Sequence, residues 1–450
     1  MEDFFSRIQP LLSEEEFVKF KNEYQKPHLR GVRVNTLKCS RDKFLAVMQK
    51  EGENFPETPF CECGFYINED STFSGKHPLH HAGAVYFQEP SAMSAVTLLA
   101  PKEGDKVLDL CAAPGGKSTQ IASMLAGKGL LWCNEYVKSR ANILLSNIER
   151  CGIRNAVVSS SDAETLCSSL EGFFDKVLVD APCSGEGMFR RDERAKEEWS
   201  AEHSDSCAVR QLHILKSAGK ALRPGGEMVY STCTFSKAEN EDVVEKFLLD
   251  NPEFELVNTC ENFGRKGVGG IGTRIFPMDG GEGHFAVKLK KREDALFACG
   301  AAAQGEHEVT DIRKIPAVAK DFFEATFKNT DMLERAYING DKLFIIPEGC
   351  PLIKGTGVLR AGVLAGVVKK GYFDPAHALF LAANPADIKQ VVDMELSDER
   401  LIPFLKGEEI SVSENFSGYT AVAVCSVIVG FGKVSSGRLK NKYPKGLRLM

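Results

Sequence analysis

The segment that most restricts how this chain can fold is Asp109-Leu110-Cys111-Ala112-Ala113-Pro114-Gly115-Gly116-Lys117. An apolar stretch, Lys106 to Leu110, runs into it, and a helical pattern, Ser118 to Leu125, leaves it. A strand that enters a glycine-rich turn and departs as a helix opens a crossover unit, and such units assemble a parallel sheet. The alternation continues. Leu130–Asn134, Ala156–Ser159, Lys176–Val179 and Glu227–Tyr230 read as strands, and Val137, Ala141, Leu144, Leu145 and Ile148 recur at helical spacing. His284 to Leu289 alternates as a last strand, expected antiparallel at the sheet edge. The expected fold class is α/β and Rossmann-like.

A chain of 450 residues exceeds one ordinary core. Residues 1–82 read as an N-terminal extension, with Arg30 to Lys38 of strand type and Ser71 to Pro78 a loop. Residues 83–292 hold the parallel α/β domain. Lys290 to Glu293 and the run Gly300 to Gly305 read as a linker within a unit at 293–372, and 373–450 reads as a small α+β or β-rich module. No apolar run approaches the roughly 18 residues of a membrane span. The first residues lack the layout of a signal peptide, so a cytoplasmic location is expected. The fourteen cysteines then argue against a disulfide framework. Cys61 and Cys63 with His77, His80 and His81 read as loop packing, and no metal is expected.

Two thiols stand in short polar runs, each directly after a strand: Cys183 in Asp180-Ala181-Pro182-Cys183-Ser184-Gly185, Cys233 in Ser231-Thr232-Cys233-Thr234. In an open α/β sheet, chemistry gathers beyond the carboxyl ends of the strands, which brings both thiols and the glycine turn to one rim. The turn is a poor phosphate loop, because Cys111 takes the place of the first glycine in G-x-x-x-x-G-K-[ST]. It also lacks G-x-G-x-x-G, and Pro114 removes an amide donor. S-adenosylmethionine suits it better. Its ribose needs a carboxylate after the second strand, and Glu135 stands about 20 residues past the glycines. Asp162, after the third strand, suits the adenine edge.

A thiolate that adds to carbon-6 of a pyrimidine makes carbon-5 a nucleophile for a sulfonium methyl group. A base must then remove the carbon-5 proton so that the thiol leaves. One cysteine starts this cycle and a second helps to end it. Asp180 is placed to hydrogen-bond the ring-nitrogen side of cytosine. The plainer alternative is that each cysteine packs in a core.

Asp109 to Lys117, Asp180 to Arg191 and Ser231 to Thr234 together resemble the motifs of the NOL/NOP2/Sun family of RNA cytosine-5 methyltransferases. Gly83 to Ser91 and Arg33 to Thr36 resemble its catalytic-domain opening and its N-terminal extension. The resemblance implies a class I S-adenosylmethionine-dependent methyltransferase fold and Cys233 as nucleophile, with Cys183 assisting product release. It further implies that Cys111, Ala112, Ala113, Pro114, Gly115, Gly116, Lys117, Glu135, Asp162 and Asp180 lie on or beside the cofactor. Thr234 departs mildly from the family's usual small residue, most often serine.

The tail, Gly430 to Lys433 and Gly437 to Arg448, resembles the PUA-like RNA-binding module of the bacterial RsmF subgroup, whose members methylate cytosine in 16S ribosomal RNA. Independently, Arg438, Lys440, Lys442, Lys445 and Arg448 place five cations and no acid around Tyr443, in a chain of net charge −6. Such a strip suits phosphate contacts and base stacking. The expected partner is small-subunit ribosomal RNA or an assembly intermediate, and the expected state is a monomer without membrane contact. Three other readings stand beside this one: a tRNA methyltransferase, a non-catalytic ribosome-assembly protein, and a P-loop NTPase.

Overall fold

A computed structural model describes residues 2–197, 199–259, 262–295, 305–352 and 355–449. Most of the Gly300 to Gly305 run therefore lies outside the described residues. The N-terminal part holds a three-stranded antiparallel sheet of β1 (Arg30–Val34), β2 (Gly64–Ile67) and β3 (Val85–Phe87), in the order β2-β1-β3.

The central sheet begins with β4 (Lys106–Asp109), β5 (Leu130–Asn134), β6 (Ala156–Ser159), β7 (Phe174–Asp180) and β8 (Leu222–Thr232). Their parallel order is β8-β7-β4-β5-β6. Helices Gly116–Leu125, Lys138–Arg150, Ala163–Ser169 and Ala201–Ala221 make the crossovers. Strands buried on both faces need apolar residues throughout, and Leu130 to Asn134 and Ala156 to Ser159 are buried at every position. Trp132, fully buried, donates from its ring nitrogen to Ser159 Oγ at 2.9 Å, and Ser159 donates to Asn134 Oδ1 at 2.8 Å. These bonds tie together the carboxyl ends of β5 and β6.

Beyond β8 come β9 (Phe254–Leu256), β10 (Arg265–Lys266), β11 (Thr273–Ile275) and β12 (His284–Lys291). The strand expected at the edge is β12. It does run antiparallel, but it is internal, between β8 and β11, with β9 pairing it as well. Short strands from the loop before it cover its outer side, and two- and three-residue strands leave little sequence signal. At the opposite end, β6 pairs antiparallel with a strand from the C-terminal half.

That half holds β13 (Ala336–Asn339), β14 (Lys342–Ile345), β15 (Val358–Ala361), β16 (Val363–Lys369) and β17 (Tyr372–Pro375). It is β15 that joins the central sheet, with Arg360 opposite Val158, and Arg360 also pairs with Glu149 at 2.7 Å. The last module holds β18 (Val391–Met394), β19 (Ile410–Ser411), β20 (Gly418–Val424), β21 (Val427–Ser435) and β22 (Arg438–Asn441), in the order β18-β20-β21-β22-β19.

This module shares an apolar core with the N-terminal part, where Val32, Phe44 and Phe65 join Leu401, Phe404 and Val429. Tyr443 belongs to that core. Its ring is 2% exposed, packs against His377 and Phe404, and meets His81 Nδ1 through its hydroxyl at 2.9 Å. The reading of Tyr443 as a base-stacking residue is thereby corrected: an aromatic among cations looks exposed in sequence, but here it is a docking anchor. Truncating such a ring costs about 3–5 kcal/mol. Tyr443→Ala should accordingly lower the thermal midpoint and expose the last module to protease, whereas Tyr443→Phe loses only about 1 kcal/mol with its single hydrogen bond. An unchanged midpoint in the alanine variant would show that the ring does not hold the module.

Candidate active site

Strands β7 and β8 are parallel neighbours, with Asp180 opposite Ser231 at their ends. The chain after each turns outward at the same height, and Cys183 Sγ lies 3.3 Å from Cys233 Sγ. Both are half-buried. Gly187 N–H donates to the Cys233 carbonyl at 2.9 Å, so one loop holds the other by its backbone.

Two buried carboxylates lock the pair. Glu239, 0% exposed, accepts from Ser184 N at 2.9 Å, Ser184 Oγ at 2.5 Å, Ser204 Oγ at 2.8 Å and Gln211 Nε2 at 2.9 Å. Glu186, 1% exposed, accepts from Thr234 Oγ1 at 2.9 Å and Phe235 N at 3.0 Å. Each carboxylate binds residues beside a cysteine, and a buried charge is tolerable only when so satisfied. Behind them, Phe20 from the N-terminal helix Glu14–Tyr24 meets Phe235 edge-on at 5.7 Å, and Phe276 stacks on Phe235 at 5.2 Å.

The hydrogen bond to Cys233, then burial, raises the Cys183 thiol well above its ordinary range, so it is protonated at neutral pH. Asp180 meets Lys117 Nζ at 2.8 Å and accepts from Ser231 Oγ at 2.9 Å. Burial works most strongly against its charge, but Lys117 together with His284 and the Ser231 hydroxyl holds the carboxyl below the usual range.

The glycine turn adjoins this pair. Gly115 sits at φ +114°, and a side chain there would strike Leu144 at 3.2 Å, so helix Lys138–Arg150 can close on the turn only over glycine. Asn147 donates to the Pro114 carbonyl at 2.9 Å and Arg140 to that of Ala113 at 3.1 Å. Cys111 is half-buried, and burial raises its thiol well above the ordinary range. Ala112 is buried under the turn. Lys117, 9% exposed and bound to Asp180, is not free to grip a phosphate, which removes the NTPase reading.

The site fits S-adenosylmethionine. At the end of β4, Asp109 accepts from Ser118 Oγ at 2.6 Å, while its Oδ1 is buried without a partner among the described residues. Burial carries this carboxyl up to about 7. At the end of β5, Glu135 is 4% exposed, caps Val137 N at 2.9 Å and pairs with Arg140 at 3.2 Å. Buried carboxylates thus stand in strand order beside a turn without phosphate character. Asp162 is exposed and caps helix Ala163–Ser169 through Thr165 N at 2.8 Å.

Sequence reasoning assigned no role to Glu186, Glu239 or His284. One position past the Phe285–Thr232 pair, the antiparallel register brings His284 level with Cys233. Burial, then Lys117, pushes its imidazole down to about 3, so it is neutral. Its Nε2 is buried without a partner among the described residues. In sequence this histidine looks like any strand residue. The signal for the acids was Glu239-Asn240-Glu241 directly after a cysteine loop.

Of the tail residues, Arg438, Lys440 and Lys445 are exposed, Lys442 lies 3.7 Å from Asp374, and Arg448 is half-buried beside Gly407. None of them is brought to the cysteine pair. Among the described residues no group of three His, Cys, Asp or Glu side chains is placed to hold a metal.

A parallel sheet in the order β6-β5-β4-β7-β8, an antiparallel β12 beside it, and carboxylates along its carboxyl rim define a Rossmann-like S-adenosylmethionine-dependent methyltransferase. The model of the 16S rRNA methyltransferase RsmB/F family matches residues 96–290. Models of the RsmF N-terminal, first C-terminal and PUA domains match residues 1–90, 321–382 and 391–449. The chain is 32% identical to ribosomal RNA small subunit methyltransferase F of Vibrio vulnificus over 99% of its length and 97% of that protein's. It is 33% identical to the enzyme of the same name from Aeromonas salmonicida, over 97% and 94%. A methyltransferase homolog from Pyrococcus horikoshii superposes with TM-score 0.55 at 30% identity, covering 64% of this chain and 93% of that one. NSun6 of the same organism, crystallised with SFG, shares the fold at TM-score 0.58 and 24% identity, covering 65% and 99%. The chain belongs to the RsmB/F family and, within it, to the RsmF subgroup.

Because Glu239 ties the Cys183 loop to its surroundings, Glu239→Ala should slow methyl transfer by about 10²-fold, the scale of a misplacement near 1 Å. S-adenosylmethionine affinity should stay within about twofold, since the glycine turn does not touch this residue. Single-turnover rates and calorimetry check this, and unaltered turnover would show that the acid does not position the thiols.

Proposed function

We propose that this protein methylates carbon-5 of a cytosine in 16S ribosomal RNA through a covalent bond between Cys233 and carbon-6. The observation that carries the proposal is the 3.3 Å pair of thiols at the carboxyl ends of two adjacent strands, beside the cofactor turn. The small-subunit target is supported by the relatives, which are named for that substrate. A non-catalytic role fits poorly, because two buried carboxylates hold both thiols in register. Such action belongs in the cytoplasm, with the chain as a monomer.

The roles follow from position. Asp180, held ionised by Lys117, faces the ring-nitrogen side of the base and supports its protonation as Cys233 adds. His284 Nε2, neutral and level with Cys233, offers an acceptor to the exocyclic amine that cytosine has and uracil lacks. Asp109, Glu135, Asp162 and the turn Cys111 to Lys117 would hold S-adenosylmethionine, which would supply an electrophilic methyl group. Water reaching the half-exposed pair takes the carbon-5 proton, the electrons of that C–H bond form the carbon-5–carbon-6 double bond, and the carbon–sulfur pair leaves on Cys233 as a thiolate, to which the protonated Cys183 donates a hydrogen bond. Arg438, Lys440 and Lys445 are free for phosphate contacts at the far module.

Cys233→Ala should abolish methyl transfer and form no protein–RNA adduct. Cys183→Ala should accumulate an adduct, seen as a slow band on a denaturing gel. An adduct that survives loss of Cys233 and needs Cys183 reverses the two roles, and bisulfite sequencing of the treated RNA tests the position of the methyl group.

A further inference from the structure

A cavity of about 190 Å³ opens between the N-terminal sheet and the loop that follows Cys183. Its walls include His28, Arg30, Gln88, Glu89 and Arg191. The Arg30 guanidinium is aimed by two carbonyls, Ser71 at 3.3 Å and Phe73 at 2.8 Å, and makes no ion pair among the described residues. Arg191 is exposed and likewise makes no ion pair among them. Nearby acids are already engaged. Glu89 accepts from Ser91 N, Ser91 Oγ, Ala92 N and Glu282 N at 2.6–3.0 Å. Glu282 takes Leu29 N at 2.6 Å and Arg190 at 3.3 Å. Two guanidinium groups therefore stand at one cavity without an ion pair among the described residues, in the field of Glu282 but bonded to no carboxylate. His28 feels their charge: burial, then Arg191, Arg190 and Arg30, push its imidazole below the ordinary range.

Two walls of the cavity belong to elements that also meet the cysteine loops or the glycine turn. Arg191 N donates to Met188 O at 2.9 Å, one residue past Gly187, which itself bonds the Cys233 carbonyl. On the other wall, Gln88 stands 3.4 Å from where a side chain on Gly116 would begin, and it accepts from Arg33 at 3.2 Å. Guanidinium groups without an ion pair beside a cavity suit a phosphate oxyanion.

We propose that this niche binds one phosphodiester of the RNA strand beside the nucleotide under attack, with Arg191 and Arg30 as the gripping groups. The proposal rests on the RNA methylation reading above and adds the contact that seats the strand at the reacting centre. A backbone phosphate carries no sequence information but fixes register. It thereby sets which nucleotide arrives over Cys233, while the distant cations of the last module add affinity.

The test uses the full chain, a small-subunit rRNA transcript and Arg191→Ala, a substitution at an exposed position that removes no internal bond. RNA Kd by anisotropy should rise about tenfold, the scale of one charge-assisted contact. The slope of log Kd against log salt should fall by about one. S-adenosylmethionine affinity by calorimetry should not move, and Arg191→Lys should recover part of the RNA affinity. An unchanged Kd and slope overturn the proposal. Inorganic phosphate at constant ionic strength should not compete with RNA for the wild-type protein; competition that disappears in Arg191→Ala assigns the niche to free phosphate and overturns it too. Should the wild-type protein bind the transcript with the predicted slope change yet leave every cytosine unmethylated, the functional reading fails and the niche stands.

Discussion

The parallel pairing of β7 with β8 is the constraint on which the rest of the site depends. Hydrogen bonding places Asp180 opposite Ser231, and the chain has only two or three residues on each side before it reaches a sulfur. Strands about 4.8 Å apart then deliver two thiols to within contact, although fifty residues separate them in sequence. Elsewhere in the sheet the same residues would be unrelated cysteines.

Pairing alone leaves the loops free to move, and buried acids remove that freedom. Glu239 and Glu186 reach into the loops from opposite sides and accept from the residues next to each cysteine. The cost of burying two carboxylates is offset by hydrogen bonds from Ser184, Ser204, Gln211, Thr234 and the Phe235 amide. A network that is satisfied only in one arrangement enforces that arrangement. The N-terminal helices extend this outward by packing Phe4 and Phe20 against Phe189 and Phe235. An element remote in sequence thus supports the Cys233 loop.

The same economy governs the outer modules. β15 continues the central sheet from the C-terminal half, and Tyr443 closes a core shared by the last module and the N-terminal part. The N-terminal part and the last module are thereby fixed relative to the thiols.

Much of the sheet was legible because its signals are local. The strand-turn-helix at Asp109 to Leu125 and the apolar runs of β5 and β6 each fit within about a dozen residues. The antiparallel direction of β12 followed from its alternation, but its internal position did not, since β10 and β11 are too short to register. Tyr443 misled because burial is decided by what docks on a residue, and no neighbouring residue reveals that. His284 escaped because its relation to Cys233 exists only across a strand pair.

By itself, the sequence determined the fold class and the rim to which the two cysteine loops and the glycine turn come. Only the tertiary structure decided that the sulfurs touch, that Glu186 and Glu239 hold their loops, that His284 stands level with one, and that Arg30 and Arg191 make no ion pair among the described residues. The physical reason is that composition and periodicity act through neighbours in the chain. Distance between loops, satisfaction of buried charge and cancellation of surface charge are properties of neighbours in space.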